Sequence, residues 1–83
     1  MATRYVTLTD SWQQIATGVS TVQVKGGTAR IHTGTAIPPE DTDAYFDVDK
    51  IFSYSGNENV YAKYDYKPPI MDVGVVVDDA FST

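Results

Sequence analysis

"STVQVKGGTARIHTG", residues 20–34, decides how this chain is read. Before Gly26-Gly27, Val22 and Val24 alternate with Thr21, Gln23 and Lys25. After it, Ala29, Ile31 and Thr33 alternate with Arg30 and His32. A period of two marks a strand with one buried face, because successive side chains leave a pleated backbone on opposite sides. The glycines between the runs take positive φ at no steric cost, so the stretch predicts a β-hairpin. Val22, Val24 and Ile31 then face the core, and His32 faces away as a surface or interface residue.

The same alternation recurs outward in both directions. "RYVTLTD", residues 4–10, sets Val6 and Leu8 against Tyr5, Thr7 and Thr9. "VYAKYDYK", residues 60–67, sets Val60, Ala62, Tyr64 and Tyr66 against Tyr61, Lys63, Asp65 and Lys67. "IMDVGVVVD", residues 70–78, aligns Met71, Val73, Val75 and Val77. "YFDVDKIFSYS", residues 45–55, fits one bent strand or two short ones, with a helical turn near "DTDAYF" as the other option. Between these runs, "TAIPPEDTDA" (35–44) is a loop, because its prolines lack the N–H a ladder needs. "SGNEN" (55–59) is a turn, and Pro68-Pro69 breaks the chain before the last run. Short strands about ten residues apart, divided by Gly and Pro, predict an all-β antiparallel sandwich or barrel of about six to seven strands. Residues 1–83 read as one domain with flexible termini, the tail fraying unless Phe81 docks.

A chain of 83 residues has a thin core, burying only about 60–65% of its unfolded surface. Disulfides cannot compensate, because there is no cysteine; that also removes thiol chemistry and zinc fingers. One histidine makes a zinc site implausible, so self-association is the expected supplement to stability. Eleven acids against six scattered bases give a net charge of −5, the opposite of the basic stripe that displaces phosphate counterions, and no nucleic-acid partner is expected. No run approaches the roughly 20 apolar residues of a membrane helix, and "MATRYVTLTD" lacks the apolar region of a signal peptide. Synthesis in the cytoplasm and no membrane partner are the expectations.

The residues offer no catalytic constellation. Glu40, Asp41, Asp43, Asp47 and Asp49 form the densest acidic stretch, but the spacing lacks the glycine and closing glutamate of a calcium loop. A solvated loop and a charged edge strand account for it, with Asp41 and Asp43 available to a partner. His32 has no neighbouring G-x-S-x-G elbow, and so short a chain has little room for a substrate cleft. The protein is expected not to be an enzyme and to need no cofactor or metal. Tyr61, on the face opposite Tyr64, and Tyr54 are interface candidates, because tyrosine joins a wide apolar ring to a polar tip. Trp12, the only tryptophan, reads as a core anchor beside Ile15, its indole N–H meeting a backbone carbonyl. Stacking on a sugar is the alternative for Trp12, Tyr61 and Tyr54.

Taken together, "YVTLTDSWQQIATG", "VSTVQVKGGTARIHTG", "TAIPPEDTDAY", "NVYAKYDY" and "MDVGVVVD" resemble the small virion structural proteins of tailed bacteriophages. The likeness covers most of the chain and rests on strands and turns rather than on reactive residues. It implies an all-β decoration or accessory protein in the virion, often trimeric, that contacts a larger capsid or tail protein. A carbohydrate- or receptor-binding module of a phage fibre is the alternative. The interface candidates are then Tyr61, Tyr54, His32, Asp41, Asp43 and Phe81; the core anchors are Trp12, Ile15, Val22, Val24, Ile31, Val73 and Val75.

Overall fold

The computed structural model describes residues 2–64 and 73–79. Eight strands run through them: β1 (Ala2–Thr7), β2 (Gln13–Thr17), β3 (Ser20–Lys25), β4 (Ala29–Gly34), β5 (Phe46–Val48), β6 (Ile51–Tyr54), β7 (Asn59–Tyr64) and β8 (Gly74–Asp79). They form two antiparallel four-stranded sheets, ordered β1-β8-β3-β6 and β2-β7-β4-β5. Every step along the chain changes sheet except β4 to β5. Eight strands wound between two sheets in this order make a jelly-roll sandwich, one of the solutions by which all-β chains limit exposed edges.

The expected hairpin at Gly26-Gly27 is absent. β3 pairs with β6 and β8, whereas β4 pairs with β5 and β7. Gly26 does take a positive φ, 87°, but the bend it permits carries the chain from one sheet to the other. Val22 and Val24 on β3 and Ala29 and Ile31 on β4 need a common apolar neighbourhood. Facing each other across the sandwich supplies it as well as lying side by side would.

Alternation holds where one face meets the core. β3 is buried at Ser20, Val22 and Val24 and exposed at Thr21, Gln23 and Lys25. The core between the sheets gathers Leu8, Ile15, Ala16, Val22, Val24, Ala29, Ile31, Val60, Ala62, Val73, Val75 and Val77, with Val6, Phe52, Tyr54 and Tyr64 packed against it. Ile15, Val22, Val24, Ile31, Val73 and Val75 therefore sit where the sequence puts them; Met71 and Tyr66 lie outside the described residues.

β2 breaks the alternation. The register of β2 on β7 shifts between Gln14 and Ala16, so Ile15 and Ala16 are both buried. A bulge places two residues opposite one and lets neighbours turn to the same face. At this end an inward-facing pair also ties the sheets together. Arg4 of β1 lies 3.8 Å from the Asp79 carboxylate of β8 and donates to the Ile15 carbonyl of β2; the Thr17 N–H donates to Asp79 at 3.1 Å.

Candidate functional site

The outer face of the β2-β7-β4-β5 sheet is unlike a solvated sheet surface. β7 is buried at Val60, Tyr61, Ala62 and Lys63 in succession. Val60 and Ala62 face the inter-sheet core, so Tyr61 and Lys63 face outward, yet both are covered. The cover is the proline-acid segment 35–45, which follows β4 and crosses back over the sheet before β5 begins.

Four contacts hold this segment down. The Lys63 ammonium donates to the Glu40 carbonyl at 2.9 Å and lies 3.7 Å from its carboxylate. The backbone N–H of Trp12 donates to the Glu40 carboxylate at 3.3 Å. His32 Nδ1 lies 2.6 Å from the Ala44 carbonyl oxygen, so it must be the donor. The Arg30 guanidinium lies 4.5 Å above the Tyr45 ring, within cation–π range. The strap's own Tyr45 joins the rings of Trp12, His32 and Tyr61 beneath it in a chain with centroids 6.0–6.3 Å apart. Lys63 completes the layer 5.3 Å from the Trp12 ring.

This arrangement revises the expected site. Trp12 is buried, at 4% exposure, but in this second layer rather than in the cluster that holds Ile15. Its indole N–H meets no carbonyl; Nε1 is a buried donor without a hydrogen-bond partner. Tyr61, expected to point at a partner, is 5% exposed because the strap lies over it. Tyr54 is half-buried against the core, its hydroxyl accepting from the Glu58 N–H at 3.2 Å, and a Cβ at Gly56 would overlap its ring. Trp12 and Tyr61 are therefore covered and Tyr54 is engaged within the fold. Phe81 lies outside the described residues.

His32, Asp41 and Asp43 fare differently. All three lie on or under the strap, with Asp41 and Asp43 exposed and His32 partly so. His32 and Asp43 line one depression of about 380 Å³ together with Thr33, Tyr45 and Phe46. It opens because β4 and β5 pair only over Ala29–Val48, Arg30–Asp47 and Ile31–Phe46, while β4 continues to Gly34 paired with β7 alone. Phe46 stands 65% exposed at this fork, its ring 6.1 Å from Phe52. No sequence reading singled it out. The signal was present in "YFDV", where an aromatic opens a short strand straight after an acidic loop.

Across the edge from this fork lies β6, where Ile51 is 63% exposed. Among the described residues no group of three or more His, Cys, Asp or Glu is placed to hold a metal ion, and no helix is long and apolar enough to cross a membrane. No family model, curated protein or solved structure matches the chain.

Proposed function

We propose that the chain is a non-catalytic structural protein of a tailed-phage virion, decorating or stabilising a head or tail through protein–protein contacts. One observation supports this reading: the edge strand β6. A sheet edge offers a row of unpaired N–H and C=O groups, and folded proteins blunt such edges with charge, bulges or brevity. β1 carries the inward-facing Arg4, β2 carries its bulge, and β5 has three residues including Asp47. β6, "IFSY", has no charge, proline or bulge, and it exposes Ile51. An unguarded edge beside an exposed aliphatic side chain suits addition of another strand.

In this reading the first occupant is a second copy of the chain, in a homo-oligomer of three, the number the resemblance implies. The assembled ring then covers a junction between larger capsid or tail subunits. The acidic balance favours the exterior of the particle, away from packaged nucleic acid, and steers docking toward a basic patch on the larger protein. Light scattering coupled to size exclusion, over a dilution series, tests the self-association. The expected result is a mass of three chains that falls to one in Ile51→Lys, which puts a charge on the edge. A wild-type chain that stays folded and monomeric at every concentration overturns it.

The fibre reading, a carbohydrate- or receptor-binding module, loses Trp12 and Tyr61 as stacking platforms because both are buried. Its remaining support is the depression at the β4–β5 fork.

A further inference from the structure

We propose that the strand added to the β6 edge is β1 of a second copy, so that chains join head to tail through one continuous sheet. The pairing rests on the self-association proposed above and names the two surfaces that meet. Symmetry sets the first constraint. A β6 strand paired with another β6 is a two-fold contact and stops at two chains, whereas a ring of three needs two different edges at every contact. Register sets the second. Residues directly opposite in an antiparallel ladder project from the same face, so a two-fold pairing is centred on one residue placed opposite its own copy. Ile51 and Ser53 lie on the outer face with Gln23 and Thr21, and Phe52 lies inward with Val22. β6 has four residues, so centring on Phe52 or Ser53 pairs only Ile51–Ser53 or Phe52–Tyr54 with their copies, and one residue is left over.

Of the other edge strands among the described residues, β1 alone can take all of β6 in unbroken register. β5 has three residues, and β2 shifts register between Gln14 and Ala16. β1 has six residues, each matched to β8 without a break. Direction fits as well: the β1-β8-β3-β6 sheet is antiparallel throughout, so β6 runs opposite to β1, and β1 of the next copy extends the sheet with the alternation kept. Tyr5, Val76, Gln23 and Ile51 are partners in successive ladders and form one row across the outer face. Its two ends are exposed apolar side chains, Tyr5 at 55% and Ile51 at 63%. Tyr5 lies against Gly74, where a Cβ would overlap its ring. Continuing the row from one copy to the next sets Ile51 opposite Tyr5, Ser53 opposite Thr3, and Phe52 opposite Arg4. The first two are an apolar and a hydroxyl cross-strand pair. The third turns the guard on β1 into a selector. Arg4 has its charge countered inside its own chain by Asp79, and an aromatic inward residue offers it a ring face that an aliphatic one does not.

The chain has no cysteine, so single introduced thiols report the contact. Tyr5→Cys and Ile51→Cys proteins are mixed, linked with a short bis-maleimide and analysed by mass spectrometry. Linked pairs holding one chain of each kind should form about tenfold more than pairs in either variant alone, because directly opposite residues have Cβ atoms about 4.5–5.5 Å apart. Thr3→Cys mixed with Ser53→Cys is the second pair and leaves Tyr5 and Ile51 in place, so the contact is read even if the first pair weakens association. Light scattering on the same samples separates the ways of failing. If the variants associate and Ile51→Cys links to itself as readily as to Tyr5→Cys, the contact is two-fold, and head-to-tail pairing is overturned while self-association stands. If they associate and neither mixture links, the contact lies elsewhere and the pairing is overturned as well. A wild-type chain that stays monomeric at every concentration overturns self-association and the pairing together.

Discussion

The two sheets turn outward faces of opposite character to their surroundings. On the β1-β8-β3-β6 sheet, Thr21, Gln23 and Lys25 of β3 stand in solvent, and along β3 each buried residue has an exposed neighbour. On the β2-β7-β4-β5 sheet, β7 is buried on both faces, because the strap adds a third layer. The sequences of the two strands differ little in pattern: "STVQVK" and "NVYAKY" both alternate. Alternation reports that one face meets a core; it cannot report whether the other meets solvent or a segment some 20 residues away. What distinguishes β7 is the kind of residue on its outer face. Tyrosine and lysine have long apolar stems with polar ends, and can be covered while their ends still find partners.

The sharpest way to break this contrast is Trp12→Ala. Removing the largest ring of the covered layer should cost about 3–5 kcal/mol, read as a fall in the urea midpoint. The core between the sheets keeps every member of its cluster in this variant. A cost under about 1 kcal/mol would mean that the covered layer contributes no more than an ordinary surface.

Lys63→Ala comes next. It removes the ammonium that holds Glu40, and with it the hydrogen bond to the carbonyl and the cation–π contact to Trp12. The expected loss is about 1–3 kcal/mol, because a charged donor is lost from a site where it was largely buried. Hydrogen exchange should accelerate at residues 40–45 more than in β3, which would place the loss in the strap rather than in the sandwich.

Gln23→Ala, on the bare face, is the control. It should shift stability by no more than about 0.5 kcal/mol, as substitutions away from packed features do. A larger effect would show that the bare face is also occupied in solution, and would point to a partner or a second copy lying on it.

Most of the inter-sheet core was readable one residue at a time. Val22, Val24, Ile31, Val73 and Val75 all follow from alternation, and the loop at 35–44 follows from its prolines. β2 was not separable as a strand of its own, because its bulge buries Ile15 and Ala16 side by side and erases the period. The Gly26-Gly27 turn was legible, but its partners were not: a local bend specifies a change of direction, not which sheet the chain enters. Tyr61 was misplaced for a related reason, since nothing near residue 61 announces that residues 35–45 will lie over it. At the fork, the sequence offers His32 as a lone surface residue and Asp43 as one member of an acidic stretch. Their common depression and the place of Phe46 depend on where β4 and β5 part, which is a matter of register and not of composition.

The winding of the chain has a consequence for how it reaches this structure. Among the described residues, only β4 and β5 are neighbours both in sequence and in a sheet, and eleven residues separate them. Every other ladder joins strands that are distant along the chain; the β1–β8 ladder joins residues 2–7 to 74–79. Loop-closure entropy must be met before such ladders return any stabilisation, and among the described residues no tight hairpin is present to form first and template the rest. Folding should therefore be slow for so small a domain, in the millisecond-to-second range rather than microseconds. While it lasts, the bare edge of β6 is open to the wrong partner as well as to the right one.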